Sequence, residues 1–227
     1  MKIGVFGDSY AERYWDKIWW RYLETNYGHT VTCFGQGGSS IMWSARQIEQ
    51  HAAKFDFIIW CLTCPGRFSF QMTEHTYVHS TSVSNNLDQY NLTPDIKKKI
   101  QVSADYLKYV YDMHEENLIG RSVAHYFMQR YPNLMVIPCF SDPLATEFNL
   151  YNLCEIELQH FFPGKKVWEV YQDYEDMRPG HLTDENHHVL AQLINNKLVS
   201  GIFQTQYTNF KIPTVSQDLV VSKKGTV

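Results

Sequence analysis

The sequence of 227 residues lacks a long hydrophobic run and an export leader. No stretch approaches the ~18 consecutive apolar residues that a membrane-spanning helix needs. The N-terminus has the pattern of a β-strand, where a signal peptide would have a positively charged start and an apolar core. We therefore expect a protein that is made in the cytoplasm without a signal peptide and that has no membrane partner.

Excess positive charge and a regular set of cysteines are missing as well. The formal net charge is −4, the sequence pI is about 6.2, and no basic cluster extends beyond Lys97–Lys99. These values argue against a nucleic-acid partner bound through bulk charge. The five cysteines are an odd number and mostly fall in apolar runs, which predicts reduced core thiols in place of a disulfide framework. They are Cys33, Cys61, Cys64, Cys139 and Cys154.

Segments typical of strands alternate with segments typical of helices. Strands are predicted at residues 2–7, 30–34, 55–63, 133–140 and 167–171; helices are predicted at 11–26, 41–53, 150–161 and 183–199, with one or two more within 101–130. This alternation predicts an α/β fold, a three-layer sandwich with a mostly parallel, flavodoxin-like sheet. The strand at 55–63 is nearly all apolar, as expected for a central strand that is covered on both faces.

Residues 1–200 are predicted to form one α/β domain, and two segments depart from the alternation. Residues 64–100 are rich in Ser, Thr, Asn and Tyr and show no clear period. They indicate an insertion that serves as a lid or as a partner-binding loop. Residues 201–227 form a C-terminal extension with little periodicity, which packs on the domain or on another chain. Both segments are candidate surfaces for a protein partner.

A serine lies at the junction between the first predicted strand and the first predicted helix. Ser9 follows Gly7 and Asp8 directly after the apolar run of residues 2–6. Free backbone N–H groups and the dipole at a helix N-terminus favour developing negative charge, so Ser9 can act as a nucleophile if a base reaches it. His181, just before the last predicted helix, is the candidate base. The loops after the strands would converge at one edge of a parallel sheet.

The tripeptide Gly7-Asp8-Ser9 resembles the first block of the SGNH (GDSL-like) hydrolase family. Gly37 resembles the glycine of the second block, and His181 with Ala191 ten residues later resembles the last block. The resemblance implies the SGNH-type α/β sandwich with a mostly parallel sheet, and cleavage of an ester bond. Ser9 would attack the acyl carbon and His181 would carry the proton, while the N–H groups of Ser9 and Gly37 would hold the oxyanion.

The sequence departs from the family pattern where a third oxyanion donor is expected. The family has an asparagine in the turn after the third strand, and this turn contains none. Thr63 or Arg67 could provide the missing donor. Asp8 and Arg67 are further predicted to contact the substrate, although Asp8 also has the position of a residue that organises the turn.

A second departure concerns the residue that orients the histidine. The family has an aspartate three residues before the histidine, and Arg178 occupies that position here. Asp176 lies two residues further back and could complete a catalytic triad through an unusual turn at Pro179. Otherwise a backbone carbonyl would orient His181, which would leave a Ser-His dyad.

Other chemistries have weaker support. Cys61 and Cys64 form a C-x-x-C pair after Trp60, as in thioredoxin-like enzymes, but the pair ends the third strand and no clear helix follows it. A metal site from these cysteines and histidines is similarly weak, because only one C-x-x-C is present and an H-x₃₋₅-H pair would match it only by chance. His187 and His188 lie within the last predicted helix and are alternative bases. No metal and no organic cofactor is expected.

The sequence as a whole predicts a serine esterase, with an O-acetyl group on a carbohydrate as the favoured substrate. The small polar loop at residues 37–40 and the aromatic-rich insertion suit a short acyl group on a sugar. The alternative is an SGNH-like fold with little or no activity that serves as a binding or structural assembly module of a larger particle, such as a phage virion. The missing asparagine and the displaced aspartate favour this alternative.

Overall fold

The computed structural model describes residues 1–12, 17–63, 67–71, 77–79, 93–110, 112–139, 182 and 184–201. The described strands are β1 (Lys2–Gly7), β2 (Thr30–Cys33), β3 (Phe57–Leu62), β4 (Ser69–Gln71), β5 (Tyr77–His79) and β6 (Leu134–Pro138). The described α-helices are α1 (Trp19–Tyr27), α2 (Ile41–His51), α3 (Pro94–Tyr109), α4 (Met113–Arg130) and α5 (Asp184–Ser200). None of these helices is long and apolar enough to cross a membrane.

Four of the strands form a parallel sheet in the order β2-β1-β3-β6. The central pair is in register from Ile3 opposite Phe57 to Gly7 opposite Cys61. Nearly all side chains of β1 and β3 are buried, which explains why both strands are apolar runs without alternation. The order matches the flavodoxin-like arrangement, and the predicted α/β fold class is confirmed.

The chain divides into two compact units, each made of two segments. The first comprises Met1–Tyr14 and Thr32–Val136, and the second comprises Trp15–Val31 and Ile137–Val227. The first unit contains the paired strands β1 and β3 together with α2, the β4–β5 hairpin, α3 and α4. The second contains α1 and α5.

An aromatic cluster fills part of the core of the first unit. The rings of Phe6 and Phe34 are stacked at 4.9 Å, and the Phe55 ring meets the Phe6 ring edge-on at 6.2 Å. Gly4 makes room for this cluster, since a Cβ at that position would lie 2.5 Å from the Phe55 ring. The imidazole of His51 stacks on the other side of Phe34 at 4.5 Å.

His51 gives this cluster a pH dependence. Burial lowers the pKa of His51 below its ordinary value of 6.5, and the neighbouring Lys54 ammonium lowers the pKa further. The unfolded chain therefore binds more protons near pH 6, so stability is fully present above pH 6.5 and falls as the pH drops through the folded-state pKa.

We expect a smaller loss of melting temperature between pH 7.5 and 5.5 in His51→Gln than in the wild type, with Lys54→Gln intermediate. Thermal unfolding followed by circular dichroism measures this, and identical pH slopes would contradict the assignment.

In the second unit, α1 packs against α5 through polar contacts. The Asn26 side chain lies 3.0 Å from Nε2 of His188, and the Nε2 atom of His29 lies 3.1 Å from Oδ1 of Asn195. Helix α1 ends at Gly28, which is left-handed with φ +69°, and its N–H bonds back to the helix. The predicted stop at Gly28 and the predicted final helix are both confirmed.

Two parts of the predicted secondary structure are wrong. The helix predicted at 11–26 is replaced by one 3₁₀ turn at Ser9–Ala11, extended backbone at Glu12 and a helix that begins only at Trp19. The segment 64–100, predicted to be irregular, contains the β4–β5 hairpin and the start of α3, where Thr93 caps the helix and Pro94 occupies its first turn. The helix at 150–161, the strand at 167–171 and residues 202–227 lie outside the described residues.

Candidate active site

The turn that carries Ser9 begins at the carboxyl end of β1. Gly7 has a φ of +144°, and a Cβ there would lie 2.5 Å from the carbonyl oxygen of Cys61 in the neighbouring strand. Only glycine therefore permits this exit from the sheet. The backbone N–H of Ala11 then donates to the carbonyl oxygen of Asp8 at 2.9 Å and closes the 3₁₀ turn. Ser9 is half-buried at the first position of that turn.

The Asp8 carboxylate connects two turns of the chain. Its Oδ1 accepts from the backbone N–H of Tyr10 at 3.2 Å. Its Oδ2 accepts from the Thr63 hydroxyl at 2.8 Å and from the Arg67 guanidinium at 2.7 Å. Asp8 is fully buried, and the Arg67 side chain is 13% exposed. The turn after β1 is thus bonded to the segment after β3 through a buried, charge-assisted network.

These contacts bring together three residues for which the sequence predicted separate roles. Asp8 and Arg67, the predicted substrate-binding residues, bind each other. Thr63, a predicted oxyanion donor, directs the single proton of its hydroxyl to Asp8. Nothing in the sequence of either turn indicates this pairing, because the partners are 55 and 59 residues apart.

The glycine-containing loop after β2 lies directly beside the Ser9 turn. The backbone N–H of Gln36 and the hydroxyl of Ser39 both donate to the carbonyl oxygen of Gly7 at 3.1 Å. A Cβ at Gly35 would overlap the carbonyl group of Ala11, so the two backbones are in close contact. Gly35 and Glu12 are paired in an isolated parallel bridge between the two segments. The predicted oxyanion residue Gly37 belongs to this loop.

The β4–β5 hairpin is fixed to the same loop by a pair of serines. The backbone N–H of Ser40 donates to Oγ of Ser69 at 3.0 Å, and that hydroxyl donates to Oγ of Ser40 at 2.9 Å. Ser40 also caps α2 by accepting from the N–H of Trp43 at 3.2 Å. A segment predicted as a lid or partner loop therefore has described residues that are bonded to the candidate site.

Glu12 is a site residue that the sequence did not indicate. A Cβ built on Gly37 would lie 3.0 Å from Oε2 and 3.2 Å from Oε1 of Glu12, so the carboxylate lies against the face of the glycine. The bridge between Glu12 and Gly35 holds the side chain in this position. The available signal was weak, namely a carboxylate three residues after Ser9.

The remaining predicted residues are distributed as follows. His181 and Asp176 lie outside the described residues, as does Cys64. His187 is buried in α5, and the ring of His188 contacts Tyr22 edge-on at 5.2 Å. Cys61 is a buried thiol in β3, and Cys33 and Cys139 are thiols as well. Within the described part of the chain, no group of three or more His, Cys, Asp or Glu side chains could hold a metal ion.

Comparison with known proteins shows similarity in fold. A protein assigned to the lipolytic G-D-S-L family from Desulfitobacterium hafniense DCB-2 is 11% identical at a TM-score of 0.42, over 84% of this chain and 95% of that one. A lipolytic G-D-S-L family member from Veillonella parvula DSM 2008 is 14% identical at a TM-score of 0.36, over 88% and 97%. The chain resembles the SGNH hydrolases in fold. The acetyl xylan esterase AlAXEase is 14% identical at a TM-score of 0.39, over 89% and 100%.

No protein-family model matches the sequence, and no curated protein matches it. At identities of 11–14% the similarity to SGNH structures is one of fold and carries no information about this chain's substrate. The activity of the chain has to be inferred from its own residues. Ser9 and Gly37, for which the sequence predicts catalytic roles, lie in two neighbouring turns of the described structure.

Proposed function

We propose that the chain is a serine esterase of the SGNH type, with Ser9 as nucleophile. The observation that carries this proposal is the support around Ser9. Gly7 permits the turn, which a residue with a Cβ could not adopt. The buried side chain of Asp8, the residue before the serine, accepts three hydrogen bonds. A half-buried serine in so constrained a turn, at the carboxyl end of a central parallel strand, has the placement of a catalytic nucleophile.

In the proposed reaction, Oγ of Ser9 bonds to the acyl carbon while a base removes its proton. We assign the base to His181, oriented by Asp176 or by a backbone carbonyl. The same proton then goes to the leaving alkoxide, and a water molecule hydrolyses the acyl-enzyme. Because Thr63 and Arg67 both donate to Asp8, their arrangement supports the N–H groups of Ser9 and Gly37 as the main oxyanion donors.

The surroundings of Gly37 support a short acyl group as substrate. The Glu12 carboxylate occupies the space against Gly37 that a side chain or a long acyl chain would need. The hydroxyls of Ser39 and Ser40 bond within the protein, to Gly7 and Ser69, and so keep the loop compact. We therefore propose a small ester, with an O-acetyl group on a carbohydrate as the favoured class.

One observation favours the second candidate, a binding or assembly module with the same fold, for example within a phage particle. The carboxylate of Glu12 lies against the glycine whose N–H would stabilise an oxyanion. A negative charge near that donor opposes the charge that develops in acyl transfer. A site used only for binding would carry no such conflict.

A fluorophosphonate probe distinguishes the two candidates. We expect the folded protein to form one adduct, mapped to Ser9 by mass spectrometry, because Oγ displaces fluoride from phosphorus only when the serine is activated. Heat-denatured protein serves as the unreactive control, and His181→Ala should lose the adduct. Acetate esters should then be hydrolysed faster than octanoate esters. The absence of any adduct on the folded protein would refute the esterase and favour the module.

A further inference from the structure

The Asp8 carboxylate creates an electrostatic problem for a nucleophile at the next residue. Asp8 is fully buried and immediately precedes Ser9. A buried carboxylate without a counter-charge strongly destabilises the folded state. It would also oppose the negative charge that develops on a substrate oxygen held by the N–H of Ser9. The charge must therefore be compensated for the turn to be both stable and useful.

Arg67 provides that compensation. One of its guanidinium nitrogens lies 2.7 Å from Oδ2 of Asp8, and its side chain is 13% exposed. The Thr63 hydroxyl shares the same carboxylate oxygen at 2.8 Å but carries no charge. Among the described residues, Arg67 is the cation that pairs with Asp8. The contact also orients the carboxylate, whose Oδ1 accepts a hydrogen bond from the backbone N–H of Tyr10.

We infer that Arg67 is a positioning residue for the Ser9 nucleophile. It neutralises and orients Asp8, so that the Ser9 turn keeps its geometry and the oxyanion forms near a pair of zero net charge. Arg67 acts through Asp8 and has no direct contact with the substrate in this role. The inference depends on the proposed esterase function, because it concerns the reactivity of Ser9.

The test is a double-mutant cycle read out as the second-order rate of fluorophosphonate labelling. Arg67→Met leaves the Asp8 charge uncompensated and should slow labelling by roughly 10- to 100-fold. Asp8→Asn in the same chain removes that charge and should restore the labelling rate to within about threefold of wild type. Arg67→Lys keeps the charge without the planar guanidinium and should fall between wild type and Arg67→Met.

Thr63→Val is the matched control, because it removes the other donor to the same oxygen without changing any charge. It should slow labelling less than Arg67→Met does. Each rate is compared with the melting temperature of the same variant. A purely structural role would lower the melting temperature while leaving the rate of the folded fraction unchanged, so rescue by Asp8→Asn separates the two roles.

The outcomes distinguish the inference from the function on which it depends. An unlabelled wild type would overturn both. A labelled wild type with folded Arg67→Met reacting at the same rate would overturn the inference alone. If Arg67→Met fails to fold, the neutral pair Asp8→Asn with Arg67→Met decides: a folded double variant that reacts more than about threefold slower than wild type would also overturn it.

Discussion

Ser9→Ala is expected to lower kcat for p-nitrophenyl acetate by at least about 10⁴-fold, the scale on which loss of a serine nucleophile acts in other hydrolases. The loss is large because the methyl group cannot form the acyl-enzyme, and the base then has no hydroxyl to activate. The turn itself should persist, since Gly7 and the Asp8 contacts that fix it remain. Initial rates at saturating substrate measure the effect, and circular dichroism confirms the fold.

Ser122→Ala is the matched control for this prediction. Ser122 is exposed on α4, where its hydroxyl bonds to the carbonyl oxygen of Leu118 at 2.8 Å in its own helix. The control should keep the wild-type kcat. Ser9 would not be the nucleophile if Ser9→Ala retained more than about one tenth of the wild-type kcat. Such a loss would be smaller than the loss of about 100-fold or more that removal of a single oxyanion donor typically causes.

Gly35→Ala is expected to reduce the free energy of unfolding by about 3 kcal/mol or more. The added methyl would overlap the backbone carbonyl of Ala11, and a backbone group cannot rotate away as a flexible side chain could. Relief of the overlap requires separation of Gly35 from its bridge partner Glu12, which displaces the loop from the Ser9 turn. Urea unfolding monitored by tryptophan fluorescence measures the change.

Gly28→Ala tests whether the effect is steric. Gly28 has a φ of +69°, but a Cβ there would meet no atom within 4 Å. Alanine at this position therefore suffers only the left-handed backbone cost of roughly 1–2 kcal/mol. Equal destabilisation by both alanine variants would show that the close contact at Gly35 contributes nothing beyond backbone conformation.

The sequence predicted the elements whose determinants are local or strongly apolar. Buried strands such as β1 and β3 can be predicted because they are apolar runs. The end of α1 at Gly28 can be predicted from the local sequence alone. The helix predicted from residue 11 failed for the opposite reason. The apolar spacing up to Leu23 is helical, but the backbone at Glu12 is extended and is paired with Gly35.

The candidate site shows the same limit. Local sequence is enough to predict roles for Ser9 and the neighbouring glycine loop. It could not show that Asp8 and Arg67 neutralise each other, because ion pairing across 59 residues depends on how β1 and β3 come together. From the sequence alone, a contact with the substrate is therefore predicted for both Asp8 and Arg67. The sequence does not indicate Glu12 as a site residue, because its position depends on long-range pairing with Gly35.

The contacts of Asp8 with Thr63 and Arg67 also affect when the Ser9 turn can form during translation. Asp8 leaves the ribosome 55 residues before Thr63 and 59 residues before Arg67. At about 5–20 residues per second, a nascent chain carries this turn for roughly 3–12 s before its partners have been made. Throughout that interval the carboxylate has neither its counter-charge nor its hydroxyl donor, and the turn remains solvated. The turn that carries the proposed nucleophile Ser9 thus becomes organised only when β3 and the segment after it have emerged.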